Sequence, residues 1–288
     1  MRWRKMSIVN LTLIVYVLAA IAYIVREIWM SVPAKWTSLG LLILAFCFNL
    51  TLVLKRSIEA GHPPFSNLYE SLIFYACCTA FVYIIFEFIY DFRVVGALSS
   101  VLAMLILLYA TLQDDTIRPI MPALKSNWML VHVITYMLGY AAFGIAFVTS
   151  IIYLVVKPFS KKQVDIKSGG SGKEMSVRNF DKLSYKIVAF GFPFLTLGMV
   201  TGAVWAKKAW GDYWSWDPKE TWSLITWLAY LAYLHTPLVL PKMKVSKSKM
   251  AVILSFWLLV CFGIVNFTFV GLNYLPSAED SAHVYGAK

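Results

Sequence analysis

Charge is scarce in this sequence. Asp, Glu, Lys and Arg make up 14% of 288 residues, whereas a water-soluble domain carries about 25%. With 60% apolar and 16% aromatic residues, that shortage excludes a soluble globular domain, which has nowhere to enclose so much apolar surface. Anionic side chains are scarcer than cationic ones, 15 against 26, for a net charge of +11. A nucleic-acid-binding surface needs its cations on a folded polar face. Here they fall mostly in short gaps between apolar runs, so nucleic acid is excluded as a partner. The four cysteines, Cys47, Cys77, Cys78 and Cys261, lie inside apolar runs and form no CxxC pair. That spacing gives neither a zinc site nor a redox dithiol, and they read as small apolar packing residues. No internal repeat stands out.

Long apolar runs are what the sequence has in abundance. Eight of them, at about 7–29, 37–54, 67–90, 94–112, 128–156, 185–206, 219–240 and 250–271, reach the roughly 18 residues a hydrocarbon core of about 30 Å demands. They predict an all-α integral membrane protein, a polytopic bundle of about eight transmembrane helices forming a single membrane domain over 1–288. The first run follows Met1-Arg-Trp-Arg-Lys, the kind of start a signal peptide has. Its apolar stretch is too long for a cleaved signal and lacks a small-residue cleavage site, so it is kept as a span.

Orientation follows from Lys and Arg in the loops. Lys157, Lys161, Lys162, Lys167, Lys173, Arg178, Lys182 and Lys186 crowd the loop after run five, and Lys242, Lys244, Lys247 and Lys249 the loop after run seven. Both are predicted cytoplasmic. Within the first, residues 160–176 centre on Ser168-Gly-Gly-Ser-Gly172 and read as a flexible linker. The loop between runs six and seven, the loop 113–127 and the tail after run eight are then external. The amino-terminal half fits less well, because the same parity places Arg2, Arg4, Lys5, Lys55 and Arg56 outside, against the rule.

The external loop 207–222 contains Trp210-Gly-Asp-Tyr-Trp-Ser-Trp-Asp-Pro-Lys-Glu-Thr-Trp222. A membrane-interface belt places one or two Trp at each helix end; four indoles and Tyr213 in one loop instead suit a surface for a large planar ligand. Asp217-Pro-Lys-Glu220 is a helix start, with Asp217 as N-cap, Pro218 first and Glu220 third, able to complete a capping box. Asp212 has no such role. Lys207 and Lys208 either pair with anionic groups on a ligand or mark the interface.

Only four histidines occur, His62, His132, His235 and His283. His132 opens run five, and His283 lies in the tail, both on the side of the tryptophan loop. His235 follows Pro218 by 17 residues, about 26 Å along a helix, which places it near the opposite side. Two histidines from distant parts of the chain beside an aromatic platform suit the axial ligands of a haem iron. From the residues alone, iron ligation and an ordinary structural role both remain open.

The loop, continued by Leu224-Ile-Thr-Trp-Leu-Ala-Tyr-Leu-Ala-Tyr-Leu-His235, resembles the tryptophan-rich WWD signature of haem-handling proteins in cytochrome c maturation. The chain is most similar to the CcsA (ResC) family of the system II pathway, related to CcmC and CcmF. Gly61-His-Pro-Pro-Phe-Ser-Asn-Leu-Tyr-Glu-Ser-Leu72 and Arg118-Pro-Ile-Met-Pro-Ala-Leu-Lys-Ser-Asn-Trp-Met-Leu-Val-His132 resemble further family segments. The resemblance runs from about residue 60 to the end. It implies that His132 and His283 are the axial ligands of haem iron and that His235 marks an inner haem position. It also implies that Trp210, Asp212, Trp214, Trp216, Asp217 and Trp222 surround the haem. Haem b is then a transported substrate. The implied partners are a CcsB/ResB-type membrane protein, carried by a separate chain, and apocytochrome c with its CxxCH segment. No residue reads as a catalytic nucleophile, so any enzymatic role is that of a subunit in a holocytochrome c synthase complex. The setting implied is a plasma (inner) membrane, or a thylakoid membrane for a plastid-encoded chain, with the WWD loop on the extracytoplasmic side. His62, in its Gly-His-Pro-Pro setting, suits a structured loop and is not carried over as a ligand. Two alternatives stand beside this reading: a haem relay of the CcmC or CcmF type serving a separate ligase, and a small-solute transporter. The second requires inverted repeats or polar clusters at the midplane, which the runs do not show.

Overall fold

The computed structural model describes residues 7–29, 31–90, 93–159, 166–167, 174–175, 178–240 and 244–274. The fold is all-helical, as the runs predict. Among the described residues its eight α-helices are α1 (Ile8–Trp29), α2 (Val32–Ala60), α3 (Leu68–Tyr90), α4 (Arg93–Ala110), α5 (Asn127–Val156), α6 (Arg178–Trp210), α7 (Pro218–Val239) and α8 (Lys247–Phe269). Two-residue strands, β1 (Ile166–Lys167) and β2 (Glu174–Met175), are the extended elements among the described residues.

Six of the eight helices are long and apolar enough to cross a membrane by themselves, making this a multi-pass membrane protein. The other two fall short for different reasons. The apolar part of α4, Val94–Ala110, is shorter than the rest. Helix α7 is long enough, but Trp, Tyr, Thr and His235 dilute its apolar content. Local signals set the helix ends. Ser31 caps α2 by accepting from the Ala34 amide at 3.3 Å, and α2 stops at Gly61, whose φ of 70° ends the helix without a Cβ penalty.

The helices group into two compact units, residues 1–119 with 167–174, and residues 120–166 with 175–288. In the first, α1 packs on α2 and α4, and α3 packs on the same two. Its interior holds charge that is fully paired. Arg26 and Glu87 meet at 2.6 Å, both sealed from solvent, and the Tyr83 hydroxyl donates to the same carboxylate. Near the opposite end of α3, Arg56 donates to Glu70 at 2.9 Å, and Glu70 also accepts from the Ser66 amide and hydroxyl at 2.9 and 2.7 Å. Lys55 pairs with Glu59 at 3.6 Å. The two cations at the end of α2 that offend the charge rule are thus both compensated, one of them in the interior. Arg2, Arg4 and Lys5 lie outside the described residues.

In the second unit α5 and α6 share the most extensive interface, and α8 and α7 complete the packing. Glycine makes the close approach possible. A Cβ on Gly191 would sit 2.8 Å from the Ala142 Cβ, and one on Gly198 would enter the Tyr136 ring. Phe143 stacks on Tyr230 of α7 at 3.7 Å, and Phe147 on Phe262 of α8 at 4.5 Å. Cys77, Cys78 and Cys261 are buried free thiols, as packing residues are.

Candidate functional site

The site is built where α5 and α6 meet the loop 211–217. His132 lies in the second turn of α5, and its ring lies over Gly202 of α6, where a Cβ would come within 2.5 Å of Nδ1. Nδ1 is 2.8 Å from the Gly198 carbonyl. A carbonyl only accepts, so Nδ1 carries the proton and donates. In the neutral ring the Nε2 lone pair is then the basic one, the arrangement by which a backbone carbonyl orients a metal-ligating imidazole. The ring also stacks on Trp205 at 5.8 Å and 28°, and lies 4.7 Å from the Tyr136 ring. Glycines at 198 and 202 therefore provide the seat for two successive rings of α5. The small-residue spacing Gly198-x-x-x-Gly202 of α6 thus meets its partner helix in α5.

Trp205 links the parts of the site. It is 3% exposed, it donates its indole N–H to the Ala123 carbonyl at 2.7 Å, and its ring meets Trp210 edge-on at 4.6 Å. His132, Trp205 and Trp210 form a continuous row of rings. Sequence reasoning missed Trp205, which reads as one more apolar residue of a span; its only local signal is its position one and a half turns before Trp210. Trp205 also lines a cavity of about 410 Å³ between the start of α5 and the end of α6, with Lys125, Trp128 and Lys208 in the lining.

The loop turns sharply. Gly211 has φ 98° and Trp216 has φ 60°, a left-handed conformation that costs a side-chain-bearing residue about 1–2 kcal/mol. Trp216 is 68% exposed and stands edge-on to Trp214 at 5.6 Å. The Trp214 indole N–H is buried and has no hydrogen-bond partner among the described residues, a donor whose desolvation none of them offsets. The Lys207 ammonium donates to the Gly211 carbonyl and sits 5.6 Å from the Tyr213 ring, so it braces its own loop.

The remaining candidates divide cleanly. Asp217 is the N-cap of α7: its carboxylate accepts from the Lys219 amide at 2.8 Å, and the Glu220 carboxylate closes the capping box at 3.3 Å from the Asp217 amide. Glu220 also accepts from the Ser215 amide at 2.7 Å, tying the loop to the helix. Asp212 is exposed in the loop. Trp222 packs edge-on against Phe267 of α8 at 4.5 Å. His235 is exposed near the other end of α7, its Nδ1 2.8 Å from the Leu231 carbonyl; it is not brought near His132. His283 lies outside the described residues. His62 is placed in the turn after α2, with Nδ1 2.9 Å from the Pro63 carbonyl.

The class is thus an all-helical, multi-pass membrane protein in which a histidine is held against a row of indoles at one end of α5 and α6. The model of the family described as cytochrome C assembly protein matches residues 65–277. Proteins named cytochrome c biogenesis protein CcsA are similar along most of the chain. That of Guillardia theta is 36% identical over 96% of this chain and 95% of its own. That of Synechococcus elongatus is 36% identical over 89% and 88%, and that of Chlamydomonas reinhardtii is 40% identical over 82% and 64%. The chain belongs to the cytochrome c assembly protein family. Its fold is also that of a solved structure described as cytochrome c heme lyase CcmF. The TM-score is 0.60 at 18% identity, covering 96% of this chain and about half, 51%, of that one.

Proposed function

We propose that this chain handles haem during cytochrome c biogenesis, receiving it within the membrane and presenting it at the tryptophan loop for attachment to apocytochrome c. The observation that carries this reading is His132, with Nδ1 anchored on Gly198 at 2.8 Å and its ring stacked on Trp205. That ring is oriented to offer Nε2 to a metal, beside a wall of indoles suited to a flat macrocycle. His283 is the second axial ligand in this proposal, and His235 marks an inner haem position on the way across. Trp210, Trp214, Trp216 and Trp222 form the aromatic surround. Asp212 and Asp217 act from the loop, Asp217 chiefly through its cap.

In this reading haem b is cargo. The CcsA relatives support a system II assignment, in which a CcsB/ResB-type membrane protein completes the complex. The loop side faces the extracytoplasmic space of a plasma or thylakoid membrane. Each thiol of the CxxCH segment adds across a haem vinyl group. Sulfur bonds to one vinyl carbon, the thiol hydrogen passes to the other, and nothing leaves. The chain itself supplies positioning and exclusion of water; the nucleophiles belong to the apocytochrome.

The test is an absorption spectrum of the detergent-purified chain, co-expressed with its partner, as wild type and as His132→Ala, His283→Ala and His235→Ala. Wild type should show sharp low-spin haem bands. His132→Ala and His283→Ala should lose them, with recovery on adding imidazole, which refills the vacated ligand position. A wild-type complex that stays colourless with added haem, or His132→Ala bands that no imidazole alters, would overturn the reading.

A further inference from the structure

The cavity lined by Trp205 is not used by the proposed haem ligands, and its composition is unlike the rest of the site. Its lining includes Trp128 and Trp205, the polar residues Ser126 and Asn127, and two lysines, Lys125 and Lys208. Lys208 lies 5.6 Å from the Trp128 ring centroid. Among the described residues neither lysine has a carboxylate within ion-pair distance. The neighbouring Lys207 differs, since its ammonium is engaged by the Gly211 carbonyl. Two lysines lining one concavity, with no carboxylate paired to either among the described residues, favour an anionic occupant. The volume, about 410 Å³, is near the low end for small-ligand sites, so it suits an edge of a ligand rather than a whole macrocycle.

Its position relative to His132 is fixed by covalent and packing geometry. Trp128 precedes His132 by four residues on α5, one helical turn or about 6 Å. Trp205 lines the cavity and also stacks on the His132 ring. We propose that this cavity receives the carboxylate edge of the planar cargo, with Lys125 and Lys208 neutralising the acid groups while His132 holds the metal. This deepens the haem reading and rests on it: the chain grips the macrocycle at its metal and at its acidic edge. The opposite, vinyl-bearing edge is thereby turned away from α5 and left to the incoming thiols. Of the two lysines, Lys208 takes the anion-pairing role that the sequence left open, whereas Lys207 braces its own loop, a role the sequence did not suggest.

The test compares haem with haem dimethyl ester, which keeps the iron and ring but has no acid groups. Both are titrated into the purified full chain and followed by the low-spin bands. Two partly exposed charge pairs predict that wild type prefers the diacid by about five- to ten-fold. The double variant Lys125→Gln/Lys208→Gln should lose that preference. Lys157→Gln, at the other end of α5, should keep it. Equal binding of the two porphyrins by wild type, with low-spin bands present, overturns this inference and leaves the haem reading standing. A preference that survives in the double variant also overturns it. Absence of low-spin bands with either porphyrin overturns both. Anionic phospholipid that co-purifies with wild type and is lost from the double variant, with no change in porphyrin preference, would assign the cavity to a lipid headgroup instead.

Discussion

At His132 the two ring nitrogens are made unlike by a single backbone carbonyl. Donation from Nδ1 to Gly198 fixes both the tautomer and the ring plane, so the residue arrives at its ligand without a rotamer search. Asp217 shows the contrasting case, a carboxylate in the middle of the signature whose acceptor capacity is turned to its own helix. The two roles separate by substitution. Asp217→Asn retains a good N-cap, whereas Asp217→Ala loses about 1 kcal/mol of helix stability. If capping is its role, Asn should keep near wild-type cytochrome c assembly in cells while Ala lowers it along with thermal stability. Equal loss in both would point instead to the charge acting on a ligand. Trp214 carries the other residue-scale oddity, a buried indole N–H with no partner among the described residues.

Between helices, the α5–α6 interface sets the site through absence of side chains. Gly198 and Gly202 leave the space that the Tyr136 and His132 rings fill. Gly202→Ala places a methyl where Nδ1 now lies and must displace the ring, at an overpacking cost of about 1–3 kcal/mol. The expected outcome is a folded, membrane-inserted protein whose low-spin haem bands are weakened as in His132→Ala. Retention of full wild-type bands would show that the ring seat is dispensable. The Arg56–Glu70 pair is an element-scale feature of the other unit. It ties the end of α2 to the start of α3 through a carboxylate that also accepts from Ser66. Removing one partner leaves a buried charge, so Arg56→Gln should cost about 3–5 kcal/mol, read as a loss of folded protein after detergent extraction. The double change Arg56→Met/Glu70→Leu should recover most of it.

For the whole molecule the decisive quantity is which side of the membrane the tryptophan loop faces. The cation-rich segments after α5 and α7 predict a cytoplasmic placement for both, which would put 210–217 on the other side. The main objection, the cations near residues 55–56, is weakened for Arg56, which is buried against Glu70, while Lys55 stays exposed beside Glu59. Orientation is set by exposed cations, and Arg56 is not one of them. Single cysteines at Asp212 and Lys244 test this. An impermeant maleimide added to intact cells or spheroplasts should label Asp212→Cys and not Lys244→Cys. The reverse pattern would invert the topology and with it the side on which cargo is delivered.

The sequence by itself determined the class of solvent, the number and approximate limits of the helices, the capping box at Asp217 and Glu220, and the aromatic loop. Each of these is local: an apolar run, a cap three residues from its partner, or a density of indoles is written in neighbouring residues. Only the tertiary structure decided that Gly198 and Gly202 receive rings from α5, that Trp205 joins His132 to Trp210, and that Lys207 and Lys208 part company. It also decided that Arg56 is an interior charge and not a loop charge. These facts depend on pairs separated by tens of residues, such as His132 and Gly198, 66 apart, or Trp205 and Ala123, 82 apart. Nothing in the spacing of one chain specifies which faces of two apolar helices meet. That choice is made by packing, where a missing Cβ on one helix and a ring on another fit the same volume.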